Sequence, residues 1–345
     1  MPRKLASMEN DTPWHMTPPT FAEIEEAAAR IRGVLRETPL LESERLNRRL
    51  GGRLLVKAEG LQLTGSFKAR GAWNRLSLLT EEERDQGVAA FSSGNHGQAV
   101  AWAASRLGVR RAVVVMPADA PAAKIEGTRS WGGEVVFYDR HDPANADRAA
   151  LGQRLASERG LTLVPPFDDR RVVAGAGTLG AEVARQAADM GAEPDTLVLC
   201  CGGGGLTAGC ALAWEALRPG SKVWAAEPEG FDDTARSLAA GSRVGNAPEA
   251  RSICDAILTP MPGVLTFAVN APRLGGVAVV TDEEVKEAMR VALAEFGLVA
   301  EPGGAAALAA VLTGKVPVEG RCVAVALTGA NVDPAIFGAT ISEAQ

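Results

Sequence analysis

The chain has 345 residues, of which 46% are hydrophobic and 23% charged, and its net charge is −6. This composition predicts a soluble globular protein with one large or two ordinary domains. Its acidic balance, with basic and acidic residues interspersed, lacks the basic surface of a nucleic-acid-binding protein. No apolar run reaches the roughly 20 residues of a membrane helix, and residues 1–19 lack the apolar core of a signal peptide. We therefore expect a loose leader over residues 1–19 and no nucleic-acid or membrane partner.

The cysteine pattern indicates the compartment. The chain has 5 cysteines, an odd number whose spacing fits neither a zinc module nor a disulfide framework. Most of them lie in apolar runs, where a cysteine usually serves as a small core residue. A reducing, cytoplasmic location is the expectation.

Helical and strand patterns alternate from residue 21 onward. The predicted helices cover residues 21–35, 66–79, 95–107, 120–131, 143–159, 178–190, 206–217, 282–296 and 303–312. The predicted strands cover residues 54–58, 88–91, 112–116, 134–138, 196–200, 223–226 and 322–327. This alternation favours an α/β fold with parallel sheets and helices on both faces, where ligands bind at the carboxyl ends of strands. Residues 232–273 lack a regular pattern, so we expect long loops that build the pocket for a substrate side chain.

One lysine lies in an unusual segment. Lys68 directly follows Phe67 at a predicted helix start, and Arg70 is two residues further on. Partial burial and the neighbouring arginine would both lower the pKa of Lys68, which makes its amine a usable nucleophile or base. Taken alone, the segment fits a solvated surface lysine better, because most helical lysines are of that kind.

Two further loops could bind anions. Ser92-Ser93-Gly94-Asn95-His96 joins a strand to a helix, and its N-cap residues leave helix N–H groups for an anion, although a capped loop without ligand is the alternative. Gly202-Gly203-Gly204-Gly205-Leu206 also joins a strand to a helix. Four glycines let consecutive N–H groups converge on a phosphate, and the lysine of a nucleotide P-loop is missing. We therefore favour a phosphate that does not belong to ATP over a tight turn without ligand.

A fourth segment, Thr328-Gly329-Ala330-Asn331, follows the last predicted strand. The four segments occur in the same order as the motifs of a known enzyme family. Ser66-Phe67-Lys68-Ala69-Arg70-Gly71-Ala72 resembles the cofactor-lysine motif of fold-type II pyridoxal-phosphate enzymes, in the branch of serine/threonine dehydratases (threonine ammonia-lyases) and serine racemases. The resemblance covers residues 20–333. It implies a two-domain α/β fold like that of the tryptophan synthase β subunit, with parallel-rich twisted sheets flanked by helices. Residues 20–86 and 163–345 would form a large cofactor-binding domain, and residues 87–162 a small domain.

The resemblance also implies roles for single residues. Lys68 would hold pyridoxal 5′-phosphate as a Schiff base, and Asn95 would hydrogen-bond its 3′ oxygen. The hydroxyl of Thr328 would face the pyridine nitrogen, where a neutral group disfavours transamination. The other implied cofactor-binding residues are Phe67, Gly202, Gly203, Gly204, Gly205 and Leu206. The implied substrate-binding residues are Ser92, Ser93, Gly94, Asn95 and His96, of which His96 fits a packed structural residue better than a catalyst. Glu301 matches a family glutamate near the active site and receives no role.

Three functions remain open. The favoured one is β-elimination from a β-hydroxy amino acid such as L-threonine or L-serine, with Lys68 removing the α-proton and a 2-oxo acid and ammonia released. The second is racemisation, because Ser93 stands where serine racemases carry their second proton carrier and where many dehydratases have alanine. Pro166-Phe167-Asp168-Asp169 resembles the dehydratase form instead. The third is a non-catalytic amino-acid-binding protein, against which the intact Lys68 argues.

Assembly and metal binding are further expectations. Residues 227–233 resemble the divalent-cation loop of serine racemases, which would place Mg²⁺ or Ca²⁺ on Glu227, Asp233 and the carbonyl of Phe231. An acidic surface turn is the alternative. The resemblance implies a homodimer or homotetramer acting on a small amino acid. It also implies no isoleucine feedback, since little chain follows Asn331.

Overall fold

A computed structural model of the chain describes residues 16–92, 94–139 and 147–342, and within these residues ten strands form two sheets. The strands are β1 (Leu40–Glu42), β2 (Arg53–Ala58), β3 (Val88–Phe91), β4 (Ala112–Pro117), β5 (Glu134–Tyr138), β6 (Thr162–Leu163), β7 (Thr196–Cys200), β8 (Lys222–Pro228), β9 (Leu274–Val280) and β10 (Cys322–Leu327).

Helices separate most of the strands. They are α1 (Phe21–Ile31), α2 (Glu44–Leu50), α3 (Lys68–Ser77), α4 (Glu81–Gln86), α5 (Asn95–Arg106), α6 (Ala122–Ser130), α7 (Arg148–Arg159), α8 (Arg170–Asp189), α9 (Gly205–Leu217), α10 (Asp233–Ala240), α11 (Val264–Asn270), α12 (Asp282–Phe296), α13 (Pro302–Leu312) and α14 (Pro334–Ser342). Among the described residues, no helix is long and apolar enough to cross a membrane.

The larger sheet has the strand order β1-β2-β10-β7-β8-β9. All its pairings are parallel except that of the edge strand β1 with β2. Its central strands are buried on both faces, as parallel strands covered by helices must be. The predicted α/β architecture is confirmed.

The smaller sheet has the order β5-β4-β3-β6 and is parallel throughout. Its strands all lie between Val88 and Leu163, close to the stretch that the sequence assigns to a small domain. Apolar side chains of α3 and α5 pack on one of its faces and those of α7 on the other. Each sheet therefore has its own hydrophobic core, and the division into two domains stays a prediction.

Helix α8 begins eight residues earlier than predicted. Its glycines lower helix propensity, which made residues 170–177 look irregular. The structure shows why they are there: a Cβ on Gly175 would lie 2.6 Å from the carbonyl oxygen of Arg70, and one on Gly177 would lie 2.7 Å from that of Gly209. The Asp169 carboxylate caps the helix by accepting from the backbone N–H groups of Arg171 and Val172. Close helix packing thus outweighs local propensity.

The prediction of long loops over residues 232–273 is wrong in part, because α10 and α11 lie there. Their first turns are capped by carboxylates from other segments: Glu227 accepts from the N–H groups of Thr234 and Ala235, and Asp168 accepts from that of Val264. Caps supplied from a distance leave no mark in the local sequence. The sequence also did not predict β1, β6, β9, α2, α4 and α14.

Two predicted segments, the leader over residues 1–19 and the helix over residues 143–159, are described only in part. Residues 16–19, the last four of the predicted leader, lie against α8, where Arg170 donates to the Thr17 hydroxyl at 2.5 Å and to the Pro18 carbonyl at 2.6 Å. Residues 1–15 lie outside the described part of the chain. So do residues 143–146, the first turn of the helix predicted over 143–159.

Candidate active site

A cavity lies between the two sheets and has about 730 Å³ of space, part of it open to solvent. Residues from both sheets line it. The predicted site residues on its wall are Phe67, Lys68, Ser92, Asn95, His96, Gly202, Gly203, Gly204, Gly205, Leu206 and Thr328. Of the other residues predicted to bind the substrate, Gly94 does not line the cavity and Ser93 falls outside the described residues. Segments far apart in sequence are thus brought to one site, as expected at the carboxyl ends of parallel strands.

Lys68 is the first residue of α3, and the strand-like segment before it positions the side chain. Ser66 bridges to Gly329, and the Phe67 N–H donates to the Thr328 carbonyl oxygen at 3.0 Å. The Lys68 ammonium group donates to the carbonyl oxygen of Pro166 at 2.9 Å. Desolvation lowers the pKa of Lys68 to about 8, and the positive charge of Arg148 contributes to that shift. About a tenth of this amine is therefore unprotonated at pH 7.

The loop before α5 presents backbone N–H groups at the cavity. The Ser92 hydroxyl accepts from the Gly94 N–H at 3.0 Å, which holds the turn. Helix α5 then begins at Asn95, and its first N–H groups have no partner within the helix. His96 Nε2 donates to the Val164 carbonyl at 2.9 Å, and desolvation lowers the pKa of His96 to about 3. His96 is thus a neutral, packed residue on the cavity wall.

The glycine loop at residues 202–205 lies on the cavity wall. Its carbonyl groups point away from the cavity, because Thr266 donates to the oxygen of Gly203 and Thr207 to that of Gly204. In the described part of the chain, the N–H groups of residues 203–206 donate to no other residue, although these residues are buried. A Cβ on Gly203 would lie 2.2 Å from the ring of Phe167. Buried N–H groups that lack partners among the described residues fit a phosphate.

Two neutral groups lie at the neighbouring ends of β7 and β10. The Thr328 hydroxyl and the Cys200 thiol are 3.1 Å apart in a hydrogen bond. Desolvation raises the pKa of Cys200 to about 11, so the thiol is uncharged at neutral pH. No feature of the sequence predicted Cys200 here, since a cysteine in an apolar strand is usually a core residue.

Charged residues that the sequence left without a role also reach the cavity. Glu301 is buried, and its Oε1 accepts from the Asn95 side-chain amide at 2.5 Å. Burial raises the pKa of Glu301, and the charge of Lys124 opposes that rise. Arg148 lines the cavity from the first turn of α7, whose N-cap is Asp147. The sequence assigned no role to Arg148, which lines the cavity, or to Lys124, which contacts Glu301 behind its wall.

Residues 232–273 contribute to the wall as expected, through Ala256, Ile257 and Thr259. The Thr259 hydroxyl is buried and has no hydrogen-bond partner among the described residues. This part of the wall combines apolar contacts with one available hydroxyl group, and it faces the same cavity as the loop at Ser92.

The predicted metal ligands lie away from this cavity. Glu227 and Asp233 are both buried, and Glu227 already accepts from two backbone N–H groups. Burial and the nearby Asp233 raise the pKa of Glu227 to about 8, and burial raises that of Asp233 to about 6. Within the described ranges no group of three histidine, cysteine, aspartate or glutamate side chains could hold a metal ion. The Phe231 N–H donates to the Pro228 carbonyl in the turn between them.

Fold and cavity together define a fold-type II enzyme. Residues 31–329 match the family model described as pyridoxal-phosphate dependent enzyme, and the chain therefore belongs to that family. The buried N–H groups at the glycine loop fit the phosphate of pyridoxal phosphate, and the Lys68 amine fits its aldehyde.

The relatives are ammonia-lyases and racemases. L-threo-3-hydroxyaspartate ammonia-lyase of Saccharomyces cerevisiae is 38% identical over 328 residues, which cover 95% of this chain and 98% of that protein. Serine racemase of Schizosaccharomyces pombe is 36% identical over 315 residues, which cover 91% and 95%. The crystal structure of a T.th. threonine deaminase is similar with a TM-score of 0.84 and 42% identity, and the match covers 91% of this chain and 99% of that one.

Proposed function

We propose that this enzyme eliminates water from a β-hydroxy amino acid and releases ammonia and a 2-oxo acid. The observation that carries the proposal is the position of Lys68. Its amine shares the cavity with the N–H groups at Asn95, which suit a substrate carboxylate, and with the glycine loop, which suits a phosphate. A base at that point can reach the α-carbon of an amino acid held between the two loops.

The cofactor would be held by the residues that the sequence predicted. Lys68 would attach it, the N–H groups of residues 203–206 would bind its phosphate, and Asn95 and Thr328 would contact its ring, with Phe67 beside them. When bound, pyridoxal phosphate supplies the electron-accepting system that stabilises the negative charge left on the α-carbon.

The protein's own residues would have separate roles in the reaction. Because desolvation lowers its pKa to about 8, Lys68 can take the α-proton as a neutral amine. The N–H groups that open α5 orient the substrate carboxylate. The hydroxyl of Thr328 and the thiol of Cys200 are both neutral, so neither of these two groups can protonate a ring nitrogen as a carboxylate would. That arrangement favours elimination over transamination.

For the substrate we propose a dicarboxylic β-hydroxy amino acid, 3-hydroxyaspartate, besides L-serine and L-threonine. Arg148 lines the cavity close enough for its charge to lower the pKa of Lys68, and an arginine there can pair with a second carboxylate. Two relatives named L-threo-3-hydroxyaspartate ammonia-lyase support the choice.

The test compares kcat/KM for L-threo-3-hydroxyaspartate, L-serine and L-threonine by 2-oxo acid release. Arg148→Met should lower kcat/KM for hydroxyaspartate about 100-fold, the size of a charge-assisted hydrogen-bond pair, and change that for L-serine much less. An equal loss for both substrates would contradict the role of Arg148. Lys68→Ala should abolish the visible absorption band of the bound cofactor and all turnover. Absence of that band in the wild type would instead support the non-catalytic alternative.

Racemisation is a second candidate because Ser93 is the second serine of the motif at residues 92–96, where the resemblance to serine racemases implies a second proton carrier, and several relatives are named serine racemases. D-serine should be measured in the same samples as the 2-oxo acid. If D-serine accumulates faster and Ser93→Ala abolishes only that product, racemisation is the principal activity.

We also propose that Glu227, Asp233 and the carbonyl of Phe231 bind Mg²⁺ or Ca²⁺. The support is that Asp233 Oδ2 is buried without a hydrogen-bond partner among the described residues and that a second buried carboxylate is nearby. Calorimetric titration with each ion would test this. Heat released by wild type but not by Asp233→Asn is expected, and equal traces would refute the site.

The remaining proposals concern organisation. We propose a homodimer or homotetramer, a cytoplasmic location and a small domain over residues 87–162 within a large one over 20–86 and 163–345. The free state of all five cysteines supports a reducing compartment. Light scattering of the purified protein would test the assembly, and limited proteolysis near residues 87 and 162 would test the domain boundary.

A further inference from the structure

A buried side-chain cluster connects the two sheets beside the active-site cavity. Lys124, on α6 beside the smaller sheet, extends to two carboxylates that belong to the larger sheet's side. Its Nζ donates to Asp255 Oδ2 at 2.5 Å and lies 3.2 Å from Glu301 Oε2. The other oxygen of Glu301 accepts from the Asn95 side chain at 2.5 Å. Lys124 therefore contacts one residue of the cavity wall directly, Glu301, and is connected through it to a second, Asn95.

The cluster is deeply buried. The side chains of Lys124 and Glu301 are each 1% exposed, whereas that of Asp255 is 32% exposed. Burial alone lowers the pKa of Lys124, but the charges of Glu301 and Asp255 outweigh it, so the pKa lies above the ordinary lysine value. Burial raises the pKa of Glu301 and Lys124 counteracts this. Without Lys124, Glu301 would be a buried carboxylate with no cation beside it, and it would take up a proton.

The orientation of the Asn95 amide depends on the state of Glu301. Asn95 Nδ2 donates to Glu301, and Asn95 Oδ1 accepts from Asn331 Nδ2 at 2.9 Å. An ionised carboxylate can only accept, so it fixes which end of the amide faces it. A protonated Glu301 could donate to Asn95 Oδ1 and would permit the opposite orientation.

Two motif glycines make room for this cluster. A Cβ on Gly94 would lie 2.1 Å from Cδ of Lys124, and one on Gly329 would lie 2.0 Å from Glu301 Oε1 and 3.3 Å from Asn95 Nδ2. The lysine stem therefore passes directly over the loop that precedes α5. Both positions require glycine because the side chains of Lys124 and Glu301 occupy the space of a Cβ.

We propose that Lys124 is a positioning residue for the active site: by pairing with Asp255 and Glu301 it fixes the side chain of Asn95 and the loop at Gly94 for the cofactor and the substrate carboxylate. Lys124 itself does not line the cavity, so it acts through Glu301 and through its packing on Gly94. The measurements of KM and kcat rest on the proposed function, whereas the Kd of the cofactor and the Tm can be measured without it.

The experiment uses Lys124→Met, Glu301→Gln and the double variant, with Lys315→Met as control. Lys315 also pairs with a glutamate, Glu284, but this pair is partly exposed and neither residue lines the cavity. Three quantities are measured for each: the Kd of pyridoxal phosphate for the apo-protein by titration, KM and kcat for the amino acid that the wild type converts best, and Tm.

Lys124→Met should raise both Kd and KM about tenfold or more, and the double variant should resemble Lys124→Met because the two residues act in one chain of contacts. A purely structural role would lower Tm and leave both constants within about twofold of the Lys315→Met values, which would overturn the proposal. Fold-changes for Lys124→Met and Glu301→Gln that simply multiply in the double variant would also overturn it.

Two outcomes need a further measurement: Lys124→Met could fail to fold, and the wild type could convert none of the amino acids. If Lys124→Met does not fold, Asp255→Asn removes a single, partly exposed partner at constant size and should raise KM about threefold. Unchanged Kd and KM in that variant would contradict the proposal. If the wild type converts none of the amino acids, the proposed function fails, while the cofactor titration still decides the role of Lys124.

Discussion

A buried ion-pair network under the Lys68 helix allows a quantitative prediction about stability. Arg70 has no exposed side-chain surface and donates to both oxygens of Glu59, from Nε and Nη2, at 2.8 Å each. It also donates to both oxygens of Glu182 at 2.7 Å. Arg70→Met would leave Glu59 buried, with Thr38 as its remaining side-chain donor among the described residues. Such a change should destabilise the protein, because an unpaired buried charge replaces a satisfied one.

The expected loss of unfolding free energy in Arg70→Met can be taken from other buried ion pairs. Removing one partner costs about 3–5 kcal/mol. For a chain of 345 residues the entropy of unfolding is about 0.7 kcal/mol/K near 60 °C. The apparent Tm of the apo-protein should therefore fall by about 4–7 °C. Arg70→Lys keeps the charge but loses the two-pronged geometry, so its Tm should lie between those of Arg70→Met and the wild type.

The matched control is Arg45→Met, since Arg45 also pairs with a glutamate, Glu295, but is 69% exposed. Because the arginine of this pair is exposed and Glu295 keeps the Ser43 hydroxyl as a donor at 2.6 Å, the pair should contribute less than about 1 kcal/mol, which predicts a change in Tm of about 1 °C or less. Differential scanning fluorimetry of the three variants and the wild type is sufficient. If Arg70→Met lowers Tm no more than Arg45→Met does, the buried network does not stabilise the fold and the reasoning is refuted.

Three further predictions concern the cofactor site and the pH dependence of stability. The rate at which pyridoxal phosphate attaches to the apo-protein should rise with pH around a midpoint near 8, because only the neutral amine of Lys68 reacts and its pKa is about 8. At pH 7 about a tenth of this amine is neutral. A midpoint above about 10, measured by stopped-flow absorbance, would contradict the lowered pKa. Gly203→Ala should raise the Kd of pyridoxal phosphate at least about tenfold, because the new methyl group would collide with Phe167, whereas Gly338→Ala, with open space around it, should leave Kd unchanged. Burial alone would raise the pKa of Glu182, but the hydrogen bonds and positive charges of Arg70 and Lys57 together outweigh burial and lower it. A lowered carboxylate pKa stabilises the fold above the unfolded value and loses this effect as the pH falls through the folded value. The Tm gap between wild type and Glu182→Gln should therefore narrow below about pH 4, and a gap that widens there would contradict this sign.

Much of the fold was predictable because hydrophobic periodicity is a local signal. The strands at Val88–Phe91, Glu134–Tyr138 and Cys322–Leu327 have the bounds that their apolar runs predict. Local pattern failed where a distant group decides the structure. Helix α11 begins where the Asp168 carboxylate caps it, and β9 contains Gly276 because a Cβ there would lie 2.7 Å from the Trp224 ring. Neither partner can be recognised from the neighbouring residues.

The same distinction applies to the active site. Motifs identified the groups that lie on one continuous loop, such as Lys68 and the glycines at 202–205, because one segment carries both the chemistry and its spacing. They did not identify Lys124 or Arg148, whose positions depend on how the two sheets face each other across the cavity. The structure also explains two motif glycines for which the sequence offered no reason. Neither Gly94 nor Gly329 has a φ angle in the left-handed region, and a Cβ at either position would meet the side chain of Lys124 or Glu301. Both glycines therefore make room for one buried ion pair, whose members lie far from them in sequence.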